Sequence, residues 1–246
     1  MKISKWHGLG NDFILTELSK SSSFDIRGTV ERLCDRHFGV GADGVVTIRH
    51  LSGNAFEMRI YNADGTEPEM CGNATRCVGL YIKRRMLARG DEFELRTKGG
   101  IVRPKVLENG TVRVDMGEPR LLRGEIPVAG NPAEQAREVK LRADGRDFTA
   151  FCVSMGNPHA VIFVPDIEAV ELEKWGPVLE CDPQFPKKIN VEFVEVRSPG
   201  MVRMRVWERG CGITMACGTG ACAAAVAAVE NGYCDKDTDI TVKLLG

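Results

Sequence analysis

The sequence predicts an α+β fold, and three features carry that expectation. Many short stretches alternate apolar and polar residues, as half-buried strands do. Two apolar stretches read as dominant helices, one after Cys71 and one after Cys217. Strand and helix signals do not alternate in the way that predicts a parallel doubly wound sheet.

Taken in order, Ile3 to Leu15 reads as a strand, a Gly8-Leu9-Gly10-Asn11-Asp12 turn and a second strand. On spacing alone, Asn11 and Asp12 serve the turn. A polar stretch from Ser19 to Ser23 follows. Val30, Leu33, Cys34 and His37 have helical spacing and predict a helix over 29–38. His37 reads as packing or surface. The Gly39-to-Gly44 loop then runs from helix to strand, the wrong order for a phosphate cradle, so it reads as connection geometry. Val45 to Ile48 is a strand, and Phe56, Met58 and Ile60 mark another by alternating with polar partners. Asn62-Ala63-Asp64-Gly65 turns the chain toward Cys71.

Phe93 to Thr97, Ile101 to Leu107 and Thr111 to Met116 are expected strands, the last two joined at Asn109-Gly110. Gly117-Glu118-Pro119 breaks the pattern. We therefore expect two lobes, 1–117 carrying Cys71 and 118–246 carrying Cys217. In the second, Phe148 to Met155 and Ala160 to Val164 are strands on either side of Gly156-Asn157-Pro158-His159. That places His159 at a rim, where a lone histidine reads as structural. Glu171 to Leu179 is a short helix, and Ile189 to Val196, Met201 to Glu208 and Asp239 to Leu245 are strands.

The two cysteine helices share a start. Cys71-Gly72-Asn73 opens one and Cys217-Gly218-Thr219 opens the other, each X-Cys-Gly-(Asn/Thr). The helix after Cys217 is Cys222-Ala223-Ala224-Ala225-Val226-Ala227-Ala228-Val229, apolar on nearly all sides, as in a helix threaded through a core. A helix N-terminus carries about half a positive charge. A thiol held there is expected to lose its proton more easily. One such start is weak; two in two halves suggest a duplicated unit with paired thiols facing one cleft.

Bulk properties set limits. A chain of 246 residues buries most of its unfolded surface without staples. Its net charge of −1 shows no basic field, which argues against nucleic-acid and membrane-surface roles. The nine cysteines form no Cys-x-x-Cys, so the usual zinc and thioredoxin spacings are absent. The N-terminal residues lack an apolar secretory core, and no stretch of about 18 apolar residues occurs. The expectation is a cytoplasmic protein with reduced thiols.

Two thiols at helix starts suit three kinds of chemistry. They could form a redox pair, contribute to a soft-metal site, or exchange protons on opposite faces of one carbon. Spacing alone leaves all three open.

Longer motifs add to this. Gly8-Leu9-Gly10-Asn11-Asp12-Phe13, Arg59-Ile60-Tyr61-Asn62-Ala63-Asp64-Gly65, Glu69-Met70-Cys71-Gly72-Asn73, Gly156-Asn157-Pro158-His159, and Glu208-Arg209-Gly210 with Ala216-Cys217-Gly218-Thr219-Gly220 occur in this order. Across essentially its whole length the chain resembles the diaminopimelate epimerases. Proline racemases and phenazine-pathway isomerases share that two-lobed fold but differ in these motifs.

The resemblance implies two pseudo-symmetric lobes, each a strand-rich barrel-like sheet around a central helix. It implies cofactor-free, metal-free epimerisation of LL-diaminopimelate to the meso form, a step of lysine and peptidoglycan biosynthesis, in a cytoplasmic homodimer. Cys71 and Cys217 would be the acid/base thiols, His159 assisting the first and Glu208 the second. Asn11, Asn62, Asn157, Asn190, Glu208 and Arg209 would hold the ends of the small-molecule substrate. Gly72, Asn73, Gly218 and Thr219 would bind the reacting carboxylate through backbone N–H groups. Position 44 is Gly where many family members carry Gln, so Asp43-Gly44 receives no substrate role. The family also implies a segment beyond Gly246 that returns a strand to the first lobe, which this sequence does not contain.

Overall fold

The computed structural model describes residues 2–19, 26–68 and 70–246. Residues 20–23 of the polar stretch and Glu69 of the cysteine motif lie outside the described residues. The chain forms two compact units, Met1–Asp115 and Met116–Gly246.

The first unit opens with β1 (Ile3–Gly8) and β2 (Asn11–Glu17), an antiparallel hairpin. Gly8 pairs with Asn11, which leaves a two-residue loop. Leu9 and Gly10 both take positive φ, 56° and 84°, as a tight hairpin of this twist requires. Then come α1 (Ile26–Cys34), β3 (Gly44–Ser52), β4 (Ala55–Asn62) and α2 (Gly72–Arg84). The unit ends with β5 (Glu94–Thr97), β6 (Gly100–Val102), β7 (Pro104–Val106) and β8 (Val112–Val114). Strands β1 to β6 form one sheet in sequence order, and β7 and β8 pair separately.

The second unit contains β9 (Val139–Ala143), β10 (Arg146–Ser154), β11 (Pro158–Phe163), α3 (Leu172–Glu180) and β12 (Asn190–Ser198). It continues with β13 (Met201–Glu208), β14 (Gly212–Ile213), α4 (Gly218–Glu230) and β15 (Thr241–Lys243). Its sheet runs β14-β13-β12-β11-β10-β9, with β15 also on β13.

The two units repeat one wiring. In the first, β2 pairs parallel to β3 across α1, and β4 parallel to β5 across α2. In the second, β11 pairs parallel to β12 across α3, and β13 parallel to β15 across α4. These are crossover units set within mixed sheets, so neither sheet is of the parallel doubly wound kind. Antiparallel hairpins such as β3–β4 and β12–β13 separate the crossovers.

Side-chain alternation places one helix on each face of each sheet. Phe13, Leu15, Val46, Ile48, Phe56, Met58 and Ile60 pack with Ala74, Cys77, Val78, Tyr81 and Ile82 of α2. The intervening Ile14, Val45 and Tyr61 pack with Val30 and Cys34 of α1. In the second unit, Ala150, Cys152, Ala160, Ile162, Val191 and Phe193 face α3. Phe151, Val153, Val161, Val194, Val202, Met204 and Val206 face α4. Each fully buried aliphatic or aromatic side chain stabilises by about 1.5–3 kcal/mol, so both faces of both sheets contribute.

Three expected boundaries shift for local reasons. Helix α1 ends at Cys34, not Phe38, because the Asp35 carboxylate accepts the N–H groups of His37 and Phe38, each at 2.7 Å. The expected strand 101–107 breaks before Pro104, whose nitrogen offers no ladder donor, and the chain changes sheets there. Helix α4 is not threaded through the core. Ala223, Ala224, Ala227 and Ala228 are buried, while Ala221, Cys222, Ala225 and Val226 stay partly exposed.

Candidate active site

Each expected acid/base cysteine is the N-cap of a helix. Cys71 precedes α2 with extended backbone (φ −142°, ψ 114°), and Cys217 precedes α4 with almost the same angles (φ −121°, ψ 114°). The first helical bonds run from Thr75 N to Cys71 O and from Ala221 N to Cys217 O, both 2.9 Å. Helix geometry leaves the earlier N–H groups, those of Gly72, Asn73, Gly218 and Thr219, without an intrahelical acceptor.

In the first unit, Cys71 Sγ lies 4.0 Å from Asn11 Oδ1, which also accepts from Asn73 Nδ2 at 3.3 Å. Asn11 belongs to the start of β2, and its own Nδ2 donates to Asp43 Oδ2 at 2.7 Å. Asp43 also accepts from Asp12 N at 2.9 Å and pairs with Arg36 at 2.6 Å. Partial burial alone would raise the Asp12 carboxyl. Its contacts with Arg36, Lys5 and Asp43 outweigh that and hold it well below the usual carboxylate range. Asp43 received no role from the sequence, yet it orients Asn11. An added Cβ at Gly44 would lie 2.6 Å from Tyr61 O, so a close strand approach accompanies the glycine there. Asn62 ends β4 and donates to Thr66 Oγ1 at 3.0 Å within its turn.

In the second unit the groups converge at the start of α4. Cys217 is 5% exposed, and its sulfur accepts from Gly220 N at 3.4 Å and sits 3.4 Å from Thr219 Oγ1. Burial, with the charges of Glu208 and Glu192, pushes this thiol well above its ordinary range. The bonds from Thr219 and Gly220 oppose that shift without cancelling it. The expectation that the helix start eases proton loss is thereby corrected for Cys217: desolvation outweighs the dipole. Burial likewise raises the Glu208 carboxyl, partly offset by hydrogen bonds to Thr214 and Cys217.

His159 is fully buried rather than at a rim, because both ring nitrogens have partners. Nδ1 lies 2.6 Å from Glu192 Oε1, and Nε2 lies 3.0 Å from Asn157 Oδ1. Asn190 is 3% exposed; its Nδ2 donates to Pro158 O at 2.7 Å and its Oδ1 accepts Arg209 N at 2.9 Å. The Arg209 side chain is exposed. Glu180 Oε1 accepts Gly210 N at 3.1 Å, and Glu180 Oε2 accepts Trp207 Nε1 at 2.8 Å. Among the described residues, no group of three or more His, Cys, Asp or Glu has a metal-holding arrangement. Nor is any described helix long and apolar enough to cross a membrane.

Sequence reasoning missed Glu192, Asp43 and Glu180. A signal for Glu192 exists in Val191-Glu192-Phe193-Val194. Val194 shares the parity of Glu192, so that face carries apolar residues too and is buried on both sides.

Comparison with known proteins bears on the arrangement. A family profile described as diaminopimelate epimerase matches residues 3–122 and 151–246. A diaminopimelate epimerase of Pelotomaculum thermopropionicum is 49% identical over 249 residues, covering 99% of this chain and 89% of that protein. One from Desulforudis audaxviator is 51% identical over 236 residues, covering 94% of this chain and 84% of its own. Among solved structures, a probable proline racemase from Agrobacterium radiobacter aligns with a TM-score of 0.67 at 15% identity, covering 99% of this chain and 81% of that one. A phenazine biosynthesis protein of the PhzF family from Bacillus anthracis aligns with a TM-score of 0.64 at 17% identity, covering 99% and 86%. Those two likenesses concern the fold, which agrees with the α+β class of curled, strand-rich sheets. With about half of its residues identical to diaminopimelate epimerases over nearly its full length, and a profile match over most of it, the chain belongs to the diaminopimelate epimerase family.

Proposed function

We propose that the chain epimerises LL-2,6-diaminopimelate to the meso form without a cofactor, using Cys71 and Cys217 as the two acid/base groups. One observation carries the reading. In a chain of this family, two units of the same wiring each present a cysteine as the N-cap of the helix in the second crossover.

The α-hydrogen of an amino acid is a far weaker acid than a thiol, whose ordinary pKa is about 8.5. A thiolate removes it only if the developing carbanion is stabilised. That charge spreads onto the α-carboxylate. The N–H groups of Gly72, Asn73, Gly218 and Thr219 suit that carboxylate, and one such fixed donor is worth about 3 kcal/mol. One thiolate takes the proton and the opposite thiol returns one to the other face, so each turnover exchanges the two protonation states. Cys217 lies in the second unit, where its sulfur accepts from Gly220 N at 3.4 Å. Glu208 then serves as its proton relay, and His159 serves Cys71.

Asn11, Asn62, Asn157, Asn190 and Arg209 hold the substrate's polar ends in this reading. Asn190 offers its second Nδ2–H, since the first is taken by Pro158. A cytoplasmic homodimer follows from the family resemblance, and the net charge of −1 supports a small-molecule rather than a nucleic-acid partner.

The test is incubation of LL-diaminopimelate in D2O, with deuterium expected at the α-carbon of the meso product. Undiminished exchange by a Cys71→Ala, Cys217→Ala double variant would sink the reading.

A further inference from the structure

Glu192 is fully buried on β12, where it faces the start of α4 rather than α3. A carboxyl in such a place costs several kcal/mol unless its oxygens are satisfied. Oε1 is satisfied by His159 Nδ1 at 2.6 Å, with both side chains at 0% exposure. Oε2 has no hydrogen-bond partner among the described residues. A Cβ added to Gly220 would sit 2.8 Å from Glu192 Oε1 and 3.3 Å from Cys217 Sγ, so the carboxyl and the sulfur share one small space.

We propose that Glu192 is a positioning residue acting through His159: it fixes the imidazole's plane so that Nε2 is presented toward Asn157. This rests on the epimerase reading above and extends it. Asn157 Oδ1 can only accept, so the ring nitrogen facing it carries hydrogen. The second ring nitrogen faces a carboxylate oxygen, and a proton lies between them in a short, dry bond. The ring therefore has one orientation, set from behind by β12.

The same charge acts on Cys217. The titratable groups acting on this thiol are Glu192 from β12 and Glu208 from β13, with His159 of β11 acting on Glu208, while β10 presents Phe151 and Val153 and α4 adds Thr219. Glu192 helps keep the Cys217 proton on sulfur, beside burial and the Glu208 charge.

The test uses the full chain and three variants, Glu192→Gln, Glu192→Asp and Cys217→Ala. In the unmodified protein, 15N-histidine NMR should show a slowly exchanging Nδ1–H for His159. Its absence overturns the proposal without any variant. In Glu192→Gln that resonance should move or vanish. Alkylation of Cys217 by iodoacetamide, read by mass spectrometry against the Cys217→Ala control, should shift to lower pH. For diaminopimelate turnover, kcat should fall about 10²-fold, the scale of one proton-transfer group, with KM within about twofold. Glu192→Asp keeps the charge and should recover part of kcat. Unchanged His159 resonances and alkylation profile in Glu192→Gln overturn the proposal, as does a loss confined to KM. If the unmodified protein leaves diaminopimelate untouched, the proposed function fails alone, and the resonance and alkylation measurements still decide Glu192.

Discussion

Asp43 Oδ2 accepts the amide of Asn11 at 2.7 Å, and Asn11 Oδ1 faces both Cys71 and Asn73. An amide free to rotate could present either end to the thiol, and Asp43 decides which. We expect Asp43→Ala to raise KM for diaminopimelate about tenfold, as a lost charged hydrogen bond of about 1.5 kcal/mol would. The ion pair with Arg36 is half-exposed, so thermal stability should change little. A melting temperature that falls sharply with KM unaltered would contradict this account.

Buried thiols predict an alkaline weakness. Burial pushes Cys77 up to about 12 and Cys34 up to about 11, well above the ordinary thiol range. Above pH 9 the unfolded chain loses these protons and the folded chain keeps them, so the folded state binds more protons. Stability is therefore full below pH 9 and falls as pH rises toward 11 and 12. For Cys77 the loss reaches about 1.4 kcal/mol per pH unit. Urea unfolding at pH 7, 9 and 10 measures the slope, and Cys77→Ala should flatten it while lowering stability at pH 7. An unchanged slope in that variant would refute the assignment.

Much of this fold was legible because its signals are local. Alternation marks Phe56, Met58 and Ile60, and the small residues after Cys217 mark a helix start. The parallel pairing of β2 with β3 was not legible, since it depends on which strand α1 returns to, a tertiary matter. The cysteines, Glu208 and Arg209 stand in distinctive motifs and could be found. Glu192 sits inside an ordinary strand pattern, and only its parity with Val194 marks it as buried. The direction of the Cys217 shift was misread because the helix start is visible in sequence, whereas the burial that outweighs it is not.

Gly220 offers a sharper check on crowding at the start of α4. Alanine is favoured over glycine in a helix by up to about 1 kcal/mol. Here an added Cβ would meet Glu192 Oε1 at 2.8 Å and Cys217 Cβ at 3.2 Å. Neither neighbour can swing away, because Glu192 is bound to His159 and Cys217 caps the helix. Overpacking of this kind costs about 1–3 kcal/mol, so Gly220→Ala should lower the melting temperature and reduce kcat. A more stable, fully active variant would show that the space is larger than described.

Glu180 ends α3 and is only 6% exposed, yet no chemistry has been assigned to it. Its two oxygens take hydrogen bonds from Trp207 Nε1 and Gly210 N, with Lys188 beside Oε1 at 3.3 Å. Those donors bracket Glu208 and Arg209, so one carboxylate pins the turn that carries both. These bonds outweigh partial burial, which alone would raise its carboxyl, and hold it below the ordinary range. Its contribution is therefore present above the unfolded carboxylate range and lost on acidification through the lower, folded value. In Glu180→Ala the half-buried Trp207 indole loses its acceptor, at a cost of about 1 kcal/mol, while the amide of exposed Gly210 turns to water. We expect a lower melting temperature and a KM raised severalfold as Arg209 loses its fixed backbone. Glu180→Gln keeps an acceptor for Trp207 but loses the charge facing Lys188, and it should fall between the two. If both variants unfold early yet bind diaminopimelate as tightly as the unmodified chain, Glu180 stabilises the unit without placing Arg209.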